Sequence, residues 1–267
     1  MDMPKNRFKH AILSKSTAVG TWLVSGSPAN AEALGCAGFD FLVLDMEHTP
    51  IDMDGLAGML RTIEGTPAGV ITRLPWNDMV MVKRALDAGA QSLMFPFVQN
   101  ADEAKRAIAF TRYPPDGVRG VAAVHRASRF GNVPDYAKNA AAELCVVLQI
   151  ETLAALEQLP AIAQVPGVDS LFIGPADLSA SMRHLGNMTH PDVQAKLAQG
   201  AAACRKAGKP VGIVGPNPSI VASYVEMGFT WVAIGSDIGM MVNRAVEWLG
   251  KVRGGLPADA GKPAAAY

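Results

Sequence analysis

The chain has 267 residues, 49% of them apolar and only 6% aromatic, which suits one large core. Its 24 basic and 24 acidic residues cancel, and the absence of a basic stripe argues against nucleic acid and for small molecules and copies of itself as partners. No apolar run approaches the ~18 residues of a membrane span, and charges at Lys5, Arg7, Lys9 and Lys15 break any signal-peptide core, so a cytoplasmic protein is expected.

A charged helix carrying His10 precedes the first strand, 18–24 (AVGTWLV). The second strand, 39–45 (FDFLVLD), stops in a knot of acids and imidazole formed by Asp45, Glu47 and His48. A third strand at 69–73 (GVITR) ends at Arg73; helical spacing follows over 77–89 (NDMVMVKRALDAG), then a strand at 91–95 and a helix at 101–112. Residues 113–135 (YPPDGVRGVAAVHRASRFGNVPD) interrupt the alternation with a segment rich in Gly, Pro and Arg, of a length that is usually functional or covered by a neighbour. Strands resume at 145–150 (CVVLQI), 169–173 (DSLFI), 210–214 (PVGIV) and 230–234 (TWVAI), with a helix over 190–208 between the sixth and seventh. One domain over 1–253 is expected, followed by a flexible, low-complexity tail at 254–267. Cys36, Cys145 and Cys204 are too scattered for a CxxC or a disulfide framework and are expected to be reduced packing residues.

Strands that are apolar on both faces and separated by helices require a parallel sheet. Eight of them, with no Gly-rich dinucleotide fingerprint after the first, favour a closed (β/α)8 TIM barrel over an open doubly wound sheet.

In such a barrel chemistry belongs at the C-terminal ends of the strands. Polar residues sit there: Asp45, Glu47 and His48 after strand 2, Arg73 at strand 3, Gln149 and Glu151 at strand 5, and Gly174, Pro175, Ala176 and Asp177 (GPAD) after strand 6. They are expected to converge on one pocket, a ring of rim salt bridges being the alternative. Glu151 and Asp177, with no sulfur ligand nearby, suit a hard divalent ion such as Mg2+ or Mn2+; an acid pair bridged to Arg73 is the other reading. Pro175 fits a first helical position, which would turn the Ala176 and Asp177 amides toward a substrate carboxylate or leave them simply opening the helix. Lys83, Lys105, Lys138, Lys196, Lys206 and Lys209 all fall in helices or helix-to-strand turns, so Schiff-base chemistry is not expected. For a carbonyl substrate, a metal acting as Lewis acid remains. His10, His125, His184 and His190 are expected to be structural or solvent-facing, although His125 has the option of reaching a neighbouring subunit. Glycines in GIVGPN (212–217) and IGSDIG (234–239) leave a phosphosugar-binding barrel open as a rival, and a coenzyme A ester lyase is a second; a silent scaffold is a third.

The segments LDMEHTP, ITRLPWND, VKRALDAGAQ, RYPPDGVRG, LQIET and FIGPADLSASMRHLGN together resemble the HpcH/HpaI family of metal-dependent class II pyruvate aldolases, over about residues 18 to 250. The resemblance implies reversible aldol cleavage of a 4-hydroxy-2-oxo acid to pyruvate and an aldehyde, with Mg2+, Mn2+ or Co2+ as cofactor. It implies that Glu151 and Asp177 hold the ion, that Arg73 contacts the keto or enolate oxygen and that His48 is the acid/base. Asp45 joins this catalytic set at the pocket wall beside Gln149, Trp22 joins the substrate-binding residues, and the GPAD amides hold the pyruvate carboxylate. Asp87 is implied as a partner of the histidine. It falls, however, near the end of the helix that leads away from the active face, which requires a neighbouring subunit or a different helix boundary. The resemblance also implies a homohexamer, a trimer of dimers with an exchanged C-terminal helix and shared active sites.

Overall fold

In the computed structural model, which describes residues 1–14 and 17–254, eight parallel strands close in sequence order, and the last pairs with the first. They are β1 (Ala18–Leu23), β2 (Phe41–Asp45), β3 (Gly69–Arg73), β4 (Ser92–Phe95), β5 (Cys145–Ile150), β6 (Ser170–Ile173), β7 (Val211–Gly215) and β8 (Trp231–Ser236). The helices are α1 (Arg7–Leu13), α2 (Pro28–Gly35), α3 (Met53–Glu64), α4 (Met79–Asp87), α5 (Ala101–Thr111), α6 (Tyr136–Asn139), α7 (Leu153–Ala163), α8 (Pro175–Ser181), α9 (Pro191–Lys206), α10 (Pro218–Met227) and α11 (Asp237–Arg253). This is the expected (β/α)8 barrel. β3 and β5 have the expected limits; β7 and β8 run further because Gly215 pairs with Ile234 and Ser236 with Trp22. The helix expected over 77–89 is shorter: Asp78 Oδ1 accepts from the amides of Val80 and Met81, both at 2.9 Å, and Gly89 leaves the helix at φ +105°. The expected tail, apart from Gly254, lies outside the described residues.

Period-two alternation sorts each strand into an inner and an outer row. Phe41, Val43, Ile71, Met94, Cys145, Val147, Phe172, Val214, Trp231 and Ala233 fill the interior, whereas Leu42, Leu44, Leu93, Val146, Leu148, Leu171 and Ile213 pack under the helices. Gly212 is required by close approach, because a Cβ there would lie inside the Trp231 indole. At the N-terminal end α1 closes the interior: Phe8 meets Phe41 and Trp231 edge to face, each at 5.2 Å between ring centroids. Trp231 Nε1 in turn donates to Ser170 Oγ at 2.9 Å, so its one polar atom is satisfied inside the core.

Residues 113–125 form no helix or strand, and a 3-10 turn follows at Arg126–Ser128. The segment lies against the end of α4, where Arg119 Nη2 donates to Asp87 at 2.7 Å and Arg126 Nη1 to the Ala88 carbonyl at 3.0 Å. Val118, Val121, Val124 and Phe130 are left exposed. Among the cysteines, Cys145 and Cys204 are buried and unbridged as expected, but Cys36 is exposed at the end of α2 and is not a packing residue.

Candidate active site

The inner row that packs the barrel becomes polar at the C-terminal end. Continuing the alternation, Asp45 follows Val43, Arg73 follows Ile71, Gln149 and then Glu151 follow Val147, and Gly174 follows Phe172. Strand register places Asp45 beside Arg73 and Gln149 beside Phe172. Burial and pairing make Arg73 the fixed point of the site. Its Nε and Nη2 each donate to one oxygen of the fully buried Asp45 at 2.8 Å, its Nη1 lies 3.1 Å from Glu47 Oε2, and its plane stands 4.2 Å over the Trp22 ring. Asp45 Oδ1 also accepts from the amides of Glu47 at 3.0 Å and His48 at 3.4 Å, which folds the short turn that presents both side chains. His48 is half exposed, with Nε2 3.8 Å from Glu47 Oε2.

Across the mouth, Glu151 is buried and held at both oxygens. Oε1 accepts from the Phe97 amide at 2.7 Å and Oε2 from Gln149 Nε2. A Cβ on Gly174 would come 2.7 Å from Glu151 Oε2, so only glycine leaves that oxygen its place. Asp177, in the first turn of α8, is exposed, and Pro175 stands at the first helical position as expected. Trp22, His48, Arg73, Gln149, Gly174, Pro175, Ala176 and Asp177 line one cavity of about 30 Å³, with Phe172 and Val214 as its apolar floor.

Asp45, Glu47, Glu151 and Asp177 gather at the mouth with a single guanidinium, which pairs with the first two; four carboxylates less one cation leave three negative charges if all ionise. The electrostatics register this excess. Burial pushes Glu47 up to about 7 against the pull of Arg73, with Asp45 and Asp177 adding to the rise. Burial likewise pushes Glu151 up to about 7, opposed by its bond from Gln149 and aided by Asp177 and Glu47. Gln149 Oε1 is a buried acceptor with no hydrogen-bond partner among the described residues. A divalent cation fits this oxygen-only donor set, since it would neutralise the excess charge and keep Glu151 ionised.

The structure decides between several readings left open by the residues alone. Arg73 bridges Asp45 and Glu47, not the pair Glu151 and Asp177. Glu47, expected at the pocket from its place after strand 2 but given no individual role, belongs to the site through its contact with Arg73. Its signal was present in the EH dipeptide, but which of two adjacent side chains meets Arg73 depends on the turn. Phe97 was missed, because it contributes a backbone amide that no side chain announces. Asp87 is not brought to the pocket by its own chain: it ends α4, at the N-terminal end of the barrel. The phosphate reading finds its glycines otherwise engaged. Asn217 and Ser236 cap α10 and α11, and the carboxylate of Asp237, buried at the start of α11, takes the Val24 amide at 2.9 Å and the Ser25 hydroxyl. An acid at that helix start disfavours a phosphate. His10 pairs with Glu143 at 3.2 Å and His190 caps α9, so both are structural; His125 caps its 3-10 turn and is buried.

A roomier cavity, about 240 Å³, lies at the opposite end under α1. Its arginines are engaged: Arg126 and Arg129 bind Glu64, and Arg7 donates to carbonyls at the end of α3. It has the character of a stabilised floor.

Residues 18–244 match the family model for HpcH/HpaI aldolase/citrate lyase. The chain belongs to that family. It is 48% identical over 240 residues to a 2-dehydro-3,6-dideoxy-6-sulfogluconate aldolase of Pseudomonas putida, covering 90% of this chain and 94% of the relative. It is 44% identical over 235 residues to a 5-keto-4-deoxy-D-glucarate aldolase of Salmonella arizonae, covering 88% and 92%. A solved HpcH/HpaI aldolase/citrate lyase family protein from Burkholderia cenocepacia superposes with a TM-score of 0.91 at 40% identity, over 93% of this chain and 100% of that one. Among the described residues, no helix is long and apolar enough to cross a membrane.

Proposed function

We propose that this family member is a divalent-metal-dependent, class II pyruvate aldolase of the cytoplasm, cleaving 4-hydroxy-2-oxo acids reversibly to pyruvate and an aldehyde. The observation that carries the reading is the gathering of four carboxylates and one fixed guanidinium at the C-terminal mouth of the barrel. Glu151 and Asp177 would hold the ion, which is Mg2+, Mn2+ or Co2+. When bound, such an ion supplies Lewis-acid polarisation of the ketone and fixed positive charge near the developing enolate.

The chain's own residues then divide the work. The amides of Ala176 and Asp177, opened by Gly174 and Pro175, receive the substrate carboxylate. Arg73 donates to the keto oxygen and retains that contact as negative charge develops on it. Asp45, Trp22 and Glu47 keep the guanidinium from turning away, and Gln149 orients Glu151. His48, half exposed at the rim, takes the proton of the C4 hydroxyl. The C3–C4 bond breaks, its electron pair enters the C2–C3 bond of the pyruvate enolate, C4 leaves as the aldehyde carbon, and C3 takes a proton. Addition reverses the path.

The assembly follows the family's hexamer in this reading. Of the 17 residues of α11 only Asp237 is buried, and Met241, Trp248, Leu249 and Val252 face outward. A closing helix of a barrel that leaves its apolar side chains uncovered is suited to exchange with a second copy. Asp87, partly exposed among the exposed valines of 118–124, would then act in a neighbour's pocket.

The acids named by the two relatives, 5-keto-4-deoxy-D-glucarate and 2-dehydro-3,6-dideoxy-6-sulfogluconate, are the first substrates to offer. Pyruvate release from either that stops with chelator and returns with Mg2+ or Mn2+ is expected. Equal release with and without metal would overturn the class II reading.

A further inference from the structure

Glu151 is buried 2% exposed at the mouth, yet the residue that fixes its Oε1 is neither an acid nor a base. It is Phe97, and it does so from a conformation that L residues with bulky side chains rarely adopt: φ is +55°. Turned back into the extended region, its N–H would point away from the carboxylate. Outliers of this kind persist only when their surroundings over-determine them.

The surroundings here are traceable. On the backbone side, the Val98 amide donates to the Gln149 carbonyl at 3.1 Å, Thr152 Oγ1 donates to Gln99 Oε1 at 2.7 Å, and Gln99 Nε2 to the Phe97 carbonyl at 3.1 Å. The loop 96–100 is thereby stitched to residues 149–152, the stretch that carries Gln149 and Glu151. On the side-chain side, the Phe97 ring stacks on Trp76 with centroids 5.9 Å apart and 28° between planes. Trp76 lies in the loop after β3, three residues beyond Arg73, and its neighbour Asn77 donates to the Glu103 carbonyl at 3.1 Å. Both rings are large and exposed, 55% and 43%, so their burial alone does not explain the pairing.

We propose that Trp76 and Phe97 are positioning residues: their stacked rings hold Phe97 in the left-handed turn that aims its amide at Glu151, and so fix the carboxylate plane for a divalent cation. The proposal rests on the reading of Glu151 as an ion ligand. Outer groups that orient a ligand are worth about tenfold or more in metal affinity.

The test is Mn2+ binding to the chelator-treated, full-length protein without substrate, followed by electron paramagnetic resonance of the free ion. Trp76→Ala and Phe97→Ala are each expected to raise the Mn2+ Kd about tenfold. Phe97→Gly should lose less than Phe97→Ala, because glycine enters the left-handed region without a ring to hold it. Trp76→Phe keeps an aromatic face and should bind nearly as the parent protein does. A purely packing role predicts no such ordering. Trp76 is exposed, so its truncation leaves the fold intact, and thermal melting of each variant verifies it. If Glu151→Gln loses Mn2+ while Trp76→Ala and Phe97→Ala bind it like the parent, the positioning role is wrong and the ligand reading stands. If Glu151→Gln itself binds Mn2+ like the parent, the ligand reading fails and the positioning role falls with it.

Discussion

At the N-terminal end of the barrel, Phe8 is wedged between Phe41 and Trp231, and Arg7, Arg126 and Arg129 donate to Glu64 or to carbonyls at the end of α3. At the C-terminal end, Asp45 and Glu47 pair with one arginine while Glu151 stands across the mouth, Gln149 Oε1 has no hydrogen-bond partner among the described residues, and burial pushes Glu47 and Glu151 up to about 7. The arginines under α1 are paired within the chain, whereas the mouth gathers more carboxylates than its one arginine neutralises. The mouth is where binding a cation and a 2-oxo acid brings a gain that folding alone left uncollected.

That contrast can be broken experimentally. Arg73→Ala should lower turnover by about 10³-fold, on the scale of losing a preorganised donor to a developing oxyanion, while Mn2+ affinity stays within about threefold. Steady-state kinetics beside metal titration checks this, and unchanged turnover would remove Arg73 from the mechanism. At the other end, Phe8→Ala should cost about 3–5 kcal/mol of stability in urea unfolding and leave kcat of the folded fraction nearly unchanged. A kcat loss as large as that of Arg73→Ala would mean that the two ends are not separable. His48→Ala should slow aldol cleavage by about 10²-fold and pyruvate binding little.

Both ends also carry a pH signature, of opposite sign. Glu47 and Glu151 have raised values, so in chelator-treated protein the unfolded state ionises first, and stability falls as pH rises from about 4.5 toward 7. Mn2+ affinity should accordingly weaken about tenfold when pH is lowered from about 8 to about 6. Glu64 is lowered by its bond from Arg129, so its contribution is present above the ordinary carboxylate range and is lost as pH falls through its own value. Because that network is part exposed, Glu64→Gln should cost only about 1 kcal/mol or less, measured by thermal melting at neutral pH.

Much of this was legible from residues alone where one local rule decides. Apolar runs between helices marked all eight strands, and the polar residues that end β2, β3 and β5 had to share a face once the barrel closed. What resisted reading depended on contacts between segments. Arg73 selects Asp45 and Glu47 through strand register and a four-residue turn, and neither is visible in composition. Phe97 acts through its amide, whose direction is a matter of one dihedral angle. Cys36 looked apolar from its neighbours but ends a helix facing solvent. The lack of buried apolar residues along α11 contradicts its amphipathic pattern within one chain, since pattern reports a face and not which copy covers it.

The most direct measurement is exchange of the pyruvate methyl protons into D2O, followed by proton NMR on chelator-treated protein with and without Mg2+ or Mn2+. It needs no aldehyde and isolates the step that the C-terminal end is built to serve. Exchange that returns only with metal, and is lost in Arg73→Ala, is the predicted result. Exchange that is indifferent to metal, or absent under every condition while the protein is folded, would contradict the account.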